Sequence, residues 1–463
     1  MKLARMDNTN STTITTFLAH ARRVTLVILI MASFTFAIAN IHFANAQQIE
    51  FIVQFGTSDI DSAEDVFADS SGGVYVVGFT DDTLPDQTSE GDRDAFIRKY
   101  DSDGDEIWTR QFGTSDLDEA TGVSADSSGG VYVVGDTDGS LPDQPNEGSL
   151  DAFIRKYDSD GDEIWTRQFG TSLQDNAVAV SADSSGGVYV VGITFGVFEG
   201  ETSASEDPDI FDIFIRKYDS DGDEIWTRQF GTSDDSIAED VFADSSGVYV
   251  VGSVDDALPD QTSEGLVDAF IRKYDSDGDE IWTRQFGTSG RDAAEGVSAD
   301  SSGVYVVGFT EQEDAEGVDD AFIRKYDSDG DEIWIRQFGT SFNDNANAVS
   351  ADSSGIYVAG VTDGSFPDET SEGDFDIFVR KYNSDGDEIW TQQFGSSEFD
   401  ITNGVSVDTS GVYVAGETFG TLPGETSLGD GDAFLAKLGI DDDMKKHQDD
   451  DKNHHDDDAM KKH

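Results

Sequence analysis

The chain of 463 residues contains no cysteine and carries 96 acidic against 29 basic side chains, a formal net charge of -67. Disulfides, thiolate metal sites and thiol nucleophiles are excluded, and nucleic acid and anionic lipid are repelled rather than bound, since both require clustered Lys and Arg. The six histidines are His20, His42, His447, His454, His455 and His463, so residues 47–438 offer neither a Ser-His-Asp triad nor a His-ligated zinc or haem site.

At the N-terminus, Arg22 and Arg23 precede a mostly apolar run from Val24 to Ala39, and Ala44-Asn45-Ala46 offers a small-x-small cleavage site before Gln47. This is the pattern of a secretory signal peptide over residues 1–46. An uncleaved anchor is the alternative, but a run of about sixteen residues is short for a bilayer span. No second stretch of that kind follows, so no membrane span is expected after cleavage, and the expected location is secreted or at the cell surface.

Between Ile49 and Leu438 a unit of about 56 residues recurs seven times. The tyrosine of a V-Y-V-V-G string stands at Tyr75, Tyr132, Tyr189, Tyr249, Tyr305, Tyr357 and Tyr413, and the aspartate of a D-A-F-I-R-K-Y string at Asp94, Asp151, Asp212, Asp268, Asp320, Asp376 and Asp432. A period in this range marks solenoids, propellers or arrays. Each unit holds four short runs of β-branched and aromatic residues, named a to d; in the second unit they are Ala120 to Asp126, Val131 to Thr137, Ala152 to Tyr157 and Glu163 to Phe169. The a-b turn (Ser127 to Gly130) and the c-d turn (Asp158 to Asp162) supply the Gly and Asp of sharp hairpins. No stretch sustains helical apolar spacing. Four-stranded sheets set radially, each covering its neighbours' faces, are the natural arrangement of such units.

The ends show that the array closes. The first unit begins with a surplus d-like strand, Glu50 to Phe55, with Phe51 where later units have Trp108, Trp165, Trp226, Trp282, Trp334 and Trp390. The last unit stops after its c-like strand, Asp432 to Leu438, with no d strand. Pairing the two completes the last sheet and leaves no long exposed edge. The predicted fold is therefore all-β: a seven-bladed β-propeller of four-stranded antiparallel blades over residues 47–438, closed by the N-terminal strand completing the last blade.

Length variation is confined to two places. The a-b turn shortens from Ser245 onward, and the b-c loop changes: the c-strand Asp follows the b-strand Gly by 16 positions in most units, by 20 from Gly192 to Asp212 and by 12 from Gly308 to Asp320. Because strands alternate in direction, b-c and d-a loops share one face, where recognition is expected. The longest loop, Phe195 to Asp209, is the one place where the repeat symmetry is expected to break enough for a site. Its Glu199, Glu201, Glu206, Asp207 and Asp209 are the candidate partner contacts, with a solvated acidic insertion as the plainer reading. After Leu438 the composition turns to Asp, Lys and His, and 439–463 reads as a disordered, solvated tail.

The strings D-A-F-I-R-K-Y, D-S-D-G-D-E-I-W, Q-F-G-T-S-x-x-D-x-A and A-D-S-S-G-G-V-Y-V-V-G together resemble the bacterial and archaeal β-propeller repeat known as SBBP, over Ile49 to Leu438. The resemblance implies a propeller that is secreted or surface-attached, and says little about activity. Strand d also resembles faintly the pattern of quinone-dependent dehydrogenase propellers.

The candidate metal ligands are the alternating aspartates of the c-d turns: Asp101, Asp103 and Asp105; Asp158, Asp160 and Asp162; Asp219, Asp221 and Asp223; Asp275, Asp277 and Asp279; Asp327, Asp329 and Asp331. Ca²⁺ is the cofactor they suggest, since it takes hard oxygen ligands. The turn glycine stands fourth rather than sixth, and Thr109 and Phe112 occupy the ninth and twelfth places, which fits a plain acidic turn better than an EF-type loop. A further aspartate before strand a (Asp61, Asp118, Asp175, Asp292, Asp344, Asp400; Ser236 in the remaining unit) is expected to accept backbone N–H groups in its turn. The expected function is a secreted, non-catalytic scaffold binding an extracellular protein or glycan through the variable face, possible calcium included. The alternative is a propeller enzyme, quinone-dependent or acting on polysaccharide.

Overall fold

The structure, a computed structural model, describes residues 48–205, 207–311 and 318–440. The leader, Glu206 and the tail beyond Ile440 lie outside the described residues. Within them the chain forms seven four-stranded antiparallel sheets and no helix. In blade 1 the strands are a (Asp61–Ala68), b (Gly73–Thr80), c (Asp94–Asp101) and d (Glu106–Phe112). Blades 2 to 6 repeat this order, and strand a of each blade packs on strand a of the next, the seventh on the first, so the ring closes.

Blade 7 is built from both ends of the repeat array. Its strands a to c are Asp400–Val407, Val412–Thr418 and Asp432–Leu438, and its d strand is Ile49–Phe55, antiparallel to strand c with Phe51 opposite Lys437 and Phe55 opposite Ala433. Gln54 fastens this strand: its amide nitrogen donates to Asp432 Oδ2 at 2.7 Å and to Gly420 O at 2.9 Å, and its oxygen accepts Leu422 N–H at 3.0 Å.

Strands b and c are buried along their whole length in blade 2, which is why V-Y-V-V-G and A-F-I read as continuous rather than alternating apolar runs. Each blade interface holds its own apolar cluster; Tyr75 and Val77 of blade 1, for example, pack with Val123, Val131, Val133 and Phe153 of blade 2. The core is thus a set of slabs between blades. Strand a begins at Asp118 in blade 2, two residues before the predicted start, because Asp118 already pairs with Thr137. Every strand a carries a bulge, in blade 1 between Ala63 and Asp65, a feature that periodicity alone does not signal.

Candidate functional site

The propeller presents three places for chemistry: the face of short turns, the face of variable loops, and the central channel. On the short-turn face, Asp158 Oδ1 accepts the N–H groups of Asp160 and Asp162, each at 2.9 Å, and Asp101, Asp219, Asp275 and Asp327 do the same in their own turns. The turn is then clasped by the preceding blade. Trp108 Nε1 and Lys99 Nζ donate to Ser159 O at 3.2 and 2.9 Å, and Arg110 Nε donates to Gly161 O at 2.8 Å. Gly161 has φ +79°, and a Cβ there would come within 2.8 Å of the Trp108 indole, so glycine is required on both counts. D-S-D-G-D, tryptophan and arginine are therefore parts of one inter-blade joint. Among the described residues no three Asp, Glu, His or Cys side chains are placed to hold a metal ion.

The closure seam lacks parts of that joint. Phe51 replaces tryptophan, Val53 replaces arginine, and the cation clasp is reduced to Lys437 Nζ, which donates to Ser102 O at 2.8 Å and pairs with Glu50 at 3.0 Å. Blade 7 has no c-d turn for blade 6 to grip, and Gln392 stands where other blades have arginine. Trp390 Nε1 is left buried without a hydrogen-bond partner.

On the opposite face the loops are fixed at their bases and free at their tips. The c-strand Asp94 Oδ2 accepts Glu90 N–H at 2.9 Å and Gln111 Nε2–H at 2.8 Å, while Gln111 Oε1 accepts Leu84 N–H at 2.9 Å. Asp61 Oδ2 accepts the N–H and the hydroxyl of Thr57, the turn role expected of that position. Among the candidate contacts of the longest loop, Glu201 stands where blade 1 has Gln87, which accepts Gln111 N–H, and accepts Gln229 N–H at 3.1 Å, while Glu199, Asp207 and Asp209 are exposed. Exposed apolar side chains also gather in these loops: Leu117, Leu173, Val197, Leu266, Phe342 and Phe419.

The channel along the ring axis has a volume of about 660 Å³ and is lined by strand a of every blade. Its lining is not sevenfold. Blades 2, 6 and 7 place neutral side chains at the bulge that bind the next blade: Thr121 Oγ1 donates to Ala177 O at 2.9 Å, Asn347 Nδ2 to Thr402 O at 2.8 Å and Asn403 Nδ2 to Ala63 O at 3.0 Å. Blades 1, 4 and 5 carry carboxylates instead: Glu64, Asp65, Glu239, Asp240 and Glu295. Asp65 and Asp240 each bridge two blades, accepting Val66 and Val123 N–H at 2.7 and 2.9 Å, and Val241 and Val297 N–H at 2.7 and 2.8 Å. Burial nonetheless pushes both carboxyls up to about 7, aided by the like charge of Glu64 on Asp65 and of Asp65 on Asp240. Burial also raises Glu239 and Glu295, and Glu239 further feels the charges of Glu295 and Asp240. These residues escaped the sequence reading, which placed the break in symmetry in the longest loop. The signal is present in A-E-D-V-F at 63–67 and 238–242, where the other innermost strands read A-T-G-V-S, A-V-A-V-S, A-E-G-V-S, A-N-A-V-S and T-N-G-V-S.

A pH dependence follows. A carboxyl whose folded value lies above its unfolded one holds a proton in the native state that the unfolded chain has released, so its contribution to stability falls as pH rises from about 4 to about 8. Burial favours the neutral form of Glu239 and Glu295 at pH 5, and a glutamine is nearly isosteric with that form. The double variant Glu239→Gln/Glu295→Gln is expected to melt with the wild type at pH 5 and roughly 2–4 °C above it at pH 8. Equal melting temperatures at both pH values would show that these groups titrate normally.

Seven four-stranded blades around such a channel, with the last blade shared between the two ends of the array, define a closed β-propeller. The model of the SBBP beta-propeller repeat matches residues 107–142, 164–199 and 333–367, which places SBBP-type repeats within a seven-bladed propeller. The chain is also similar to the Regulatory protein FlaEY of Caulobacter vibrioides, 25% identical over 334 residues, a match covering 64% of this chain and 35% of that protein. The chain thus spans about a third of the length of this curated relative. Similar solved structures include the polysaccharide lyase Uly1 (TM-score 0.48, 9% identity, 84% of this chain and 92% of that one). Another is the β-propeller domain of the Trilobed protease from Pyrococcus furiosus (TM-score 0.45, 11% identity, 84% and 97%).

Proposed function

We propose that the protein is a secreted or cell-surface, non-catalytic scaffold that binds a protein or glycan partner through the face of b-c and d-a loops. One observation carries this reading: the repeated tryptophan, arginine and D-S-D-G-D residues are spent on joints between blades and strand d exposes one repeated isoleucine, whereas exposed apolar side chains of differing identity stand in the loops of a single face. The name of the regulatory relative is in keeping with a role outside catalysis. Calcium enters only through the acidic turns of the opposite face, and a chelator arm tests that part.

Replacing residues 195–209 and 419–430 by the corresponding blade 1 loop leaves the Asp and Gln anchors at the loop bases in place. The exchanged protein is expected to melt within about 3 °C of the wild type, since long surface loops alter stability little, and to lose the glycans or purified surface proteins that the wild type captures on an array. Unchanged capture would move the binding surface elsewhere. The paired carboxyls Glu239 and Glu295 favour, as a second reading, an enzyme acting on polysaccharide. Chain cleavage of an acidic polysaccharide by the wild type but not by Glu239→Gln would establish it.

A further inference from the structure

At every seam between blades, three residues meet on the loop face: the one before strand c, the one before strand a of the next blade, and the one after strand b of that blade. Their backbones are joined, as where Asp400 N–H donates to Phe375 O at 3.1 Å and Phe419 N–H to Phe399 O at 3.0 Å. Six of the seven seams have a charged or amide side chain among the three, for example Arg93, Leu117 and Asp138, or Val267, Arg291 and Glu311. The seam between blades 6 and 7 has three phenylalanines.

Phe375 and Phe399 lie 4.9 Å apart between ring centroids, and Phe399 and Phe419 6.2 Å apart, with the planes inclined by 63° and 62°. Phe375 and Phe399 are half-buried, and Phe419 is 42% exposed. On its blade 1 side the step is bordered by Gly431, where a Cβ would lie 2.6 Å from Glu417 Oε1, 3.4 Å from the Phe419 ring and 3.5 Å from Ile60. Acid surrounds it: exposed Asp374 precedes Phe375, and exposed Glu398 precedes Phe399. No lysine or arginine occurs between Lys381 and Lys437, and Lys437 is committed to Ser102 on the other face.

We propose that this aromatic step is the docking point for a basic protein segment that alternates arginine or lysine with apolar side chains. The inference rests on the reading that the loop face binds a partner, and names the partner's chemistry. Ring faces attract cations as well as apolar groups, and the flanking carboxylates attract the same cations while turning away an acidic apolar partner. Charge complementarity selects the occupant, and the rings give it a fixed place.

The test uses the whole chain at physiological salt and three fluorescein-labelled twelve-residue peptides: alternating arginine and leucine, alternating glutamate and leucine, and alternating arginine and serine. Fluorescence anisotropy is expected to show binding of the first, with the other two at least tenfold weaker. Phe419→Ser, at an exposed position, is expected to weaken the first peptide at least tenfold, and Leu266→Ser, two seams away on the same face, to leave it unchanged. Absence of binding by the arginine-leucine peptide overturns the proposal. So does equal loss or equal retention in the two variants, which would mean diffuse attraction to a highly acidic protein. A glycan bound by the wild type and lost in Phe419→Ser would overturn the basic partner while leaving the scaffold standing. Turnover of a polysaccharide would sink the scaffold itself.

Discussion

A chain beginning at Thr57 is expected not to fold cooperatively at temperatures where a chain beginning at Gln47 is native. The ten residues removed contain the whole d strand of blade 7. Phe55 is 5% exposed, and Ile49, Phe51, Ile52 and Val53 are half-buried. At about 1.5–3 kcal/mol for each fully buried side chain, and roughly half that for the other four, their loss amounts to about 4.5–9 kcal/mol. That approaches the whole margin of roughly 5–15 kcal/mol by which folded proteins exceed their unfolded states. The deletion also strips Gln54 from Asp432, Gly420 and Leu422 and opens Asp432–Leu438 as a bare edge strand. Circular dichroism and thermal melting of the two chains decide the matter. A shortened chain that melts at the temperature of the longer one would mean that the ring does not depend on its closing strand.

The second large effect is expected at the glycine of the V-Y-V-V-G string. In blade 2 the bulged strand a passes so close to Gly135 that a Cβ there would lie 1.8 Å from the Glu119 carbonyl oxygen and 2.9 Å from Ala120 Cα. Both are backbone atoms of a packed strand and cannot swing aside as a side chain would. Gly135→Ala is therefore expected to cost about 3 kcal/mol or more, the upper end of overpacking penalties. Gly129, in the a-b turn of the same blade, is the control: it has φ +90° and open space around it. Gly129→Ala there meets only backbone strain, about 1 kcal/mol. Chemical denaturation of the two variants reads the difference directly, and equal losses would mean that the close approach of strands a and b relaxes at little expense.

Much of this could be read before any coordinates. The offset of the first d-like strand against the missing last one requires a ring, and the tight turns with their Gly and Asp set the hairpins. Trp108 and its equivalents, together with the glycine of D-S-D-G-D, announced a repeated structural element, but not which element met which. The joint connects residues about 50 positions apart in neighbouring blades, and such partners leave no local trace in composition or period. The same holds for the acidic turns: their spacing left calcium beside the favoured reading of a plain acidic turn, and the atoms add that the first aspartate accepts N–H groups of its own turn while Lys99, Trp108 and Arg110 and their counterparts hold the turn carbonyls.

The candidate sites divide along the same line. The location of variable loops on one face followed from strand alternation, and the structure places exposed Glu199, Asp207 and Asp209 there. Glu201 of the same loop also anchors its base through Gln229 N–H. The channel carboxylates assemble from blades distant in sequence and the three-phenylalanine step from two consecutive blades, and each becomes visible only when equivalent positions are compared around the ring.

The sequence by itself determined the unit, the number of blades and the closure, because these depend on local alternation, turn chemistry and the count of strands at the two ends. Tertiary structure decided which carboxylates face one another across the axis, which phenylalanines touch, and which glycines cannot carry a side chain. Those are relations between paired strands and between blades, set by how close strands approach and how sheets pack around the axis, and the order of residues along a single strand does not contain them.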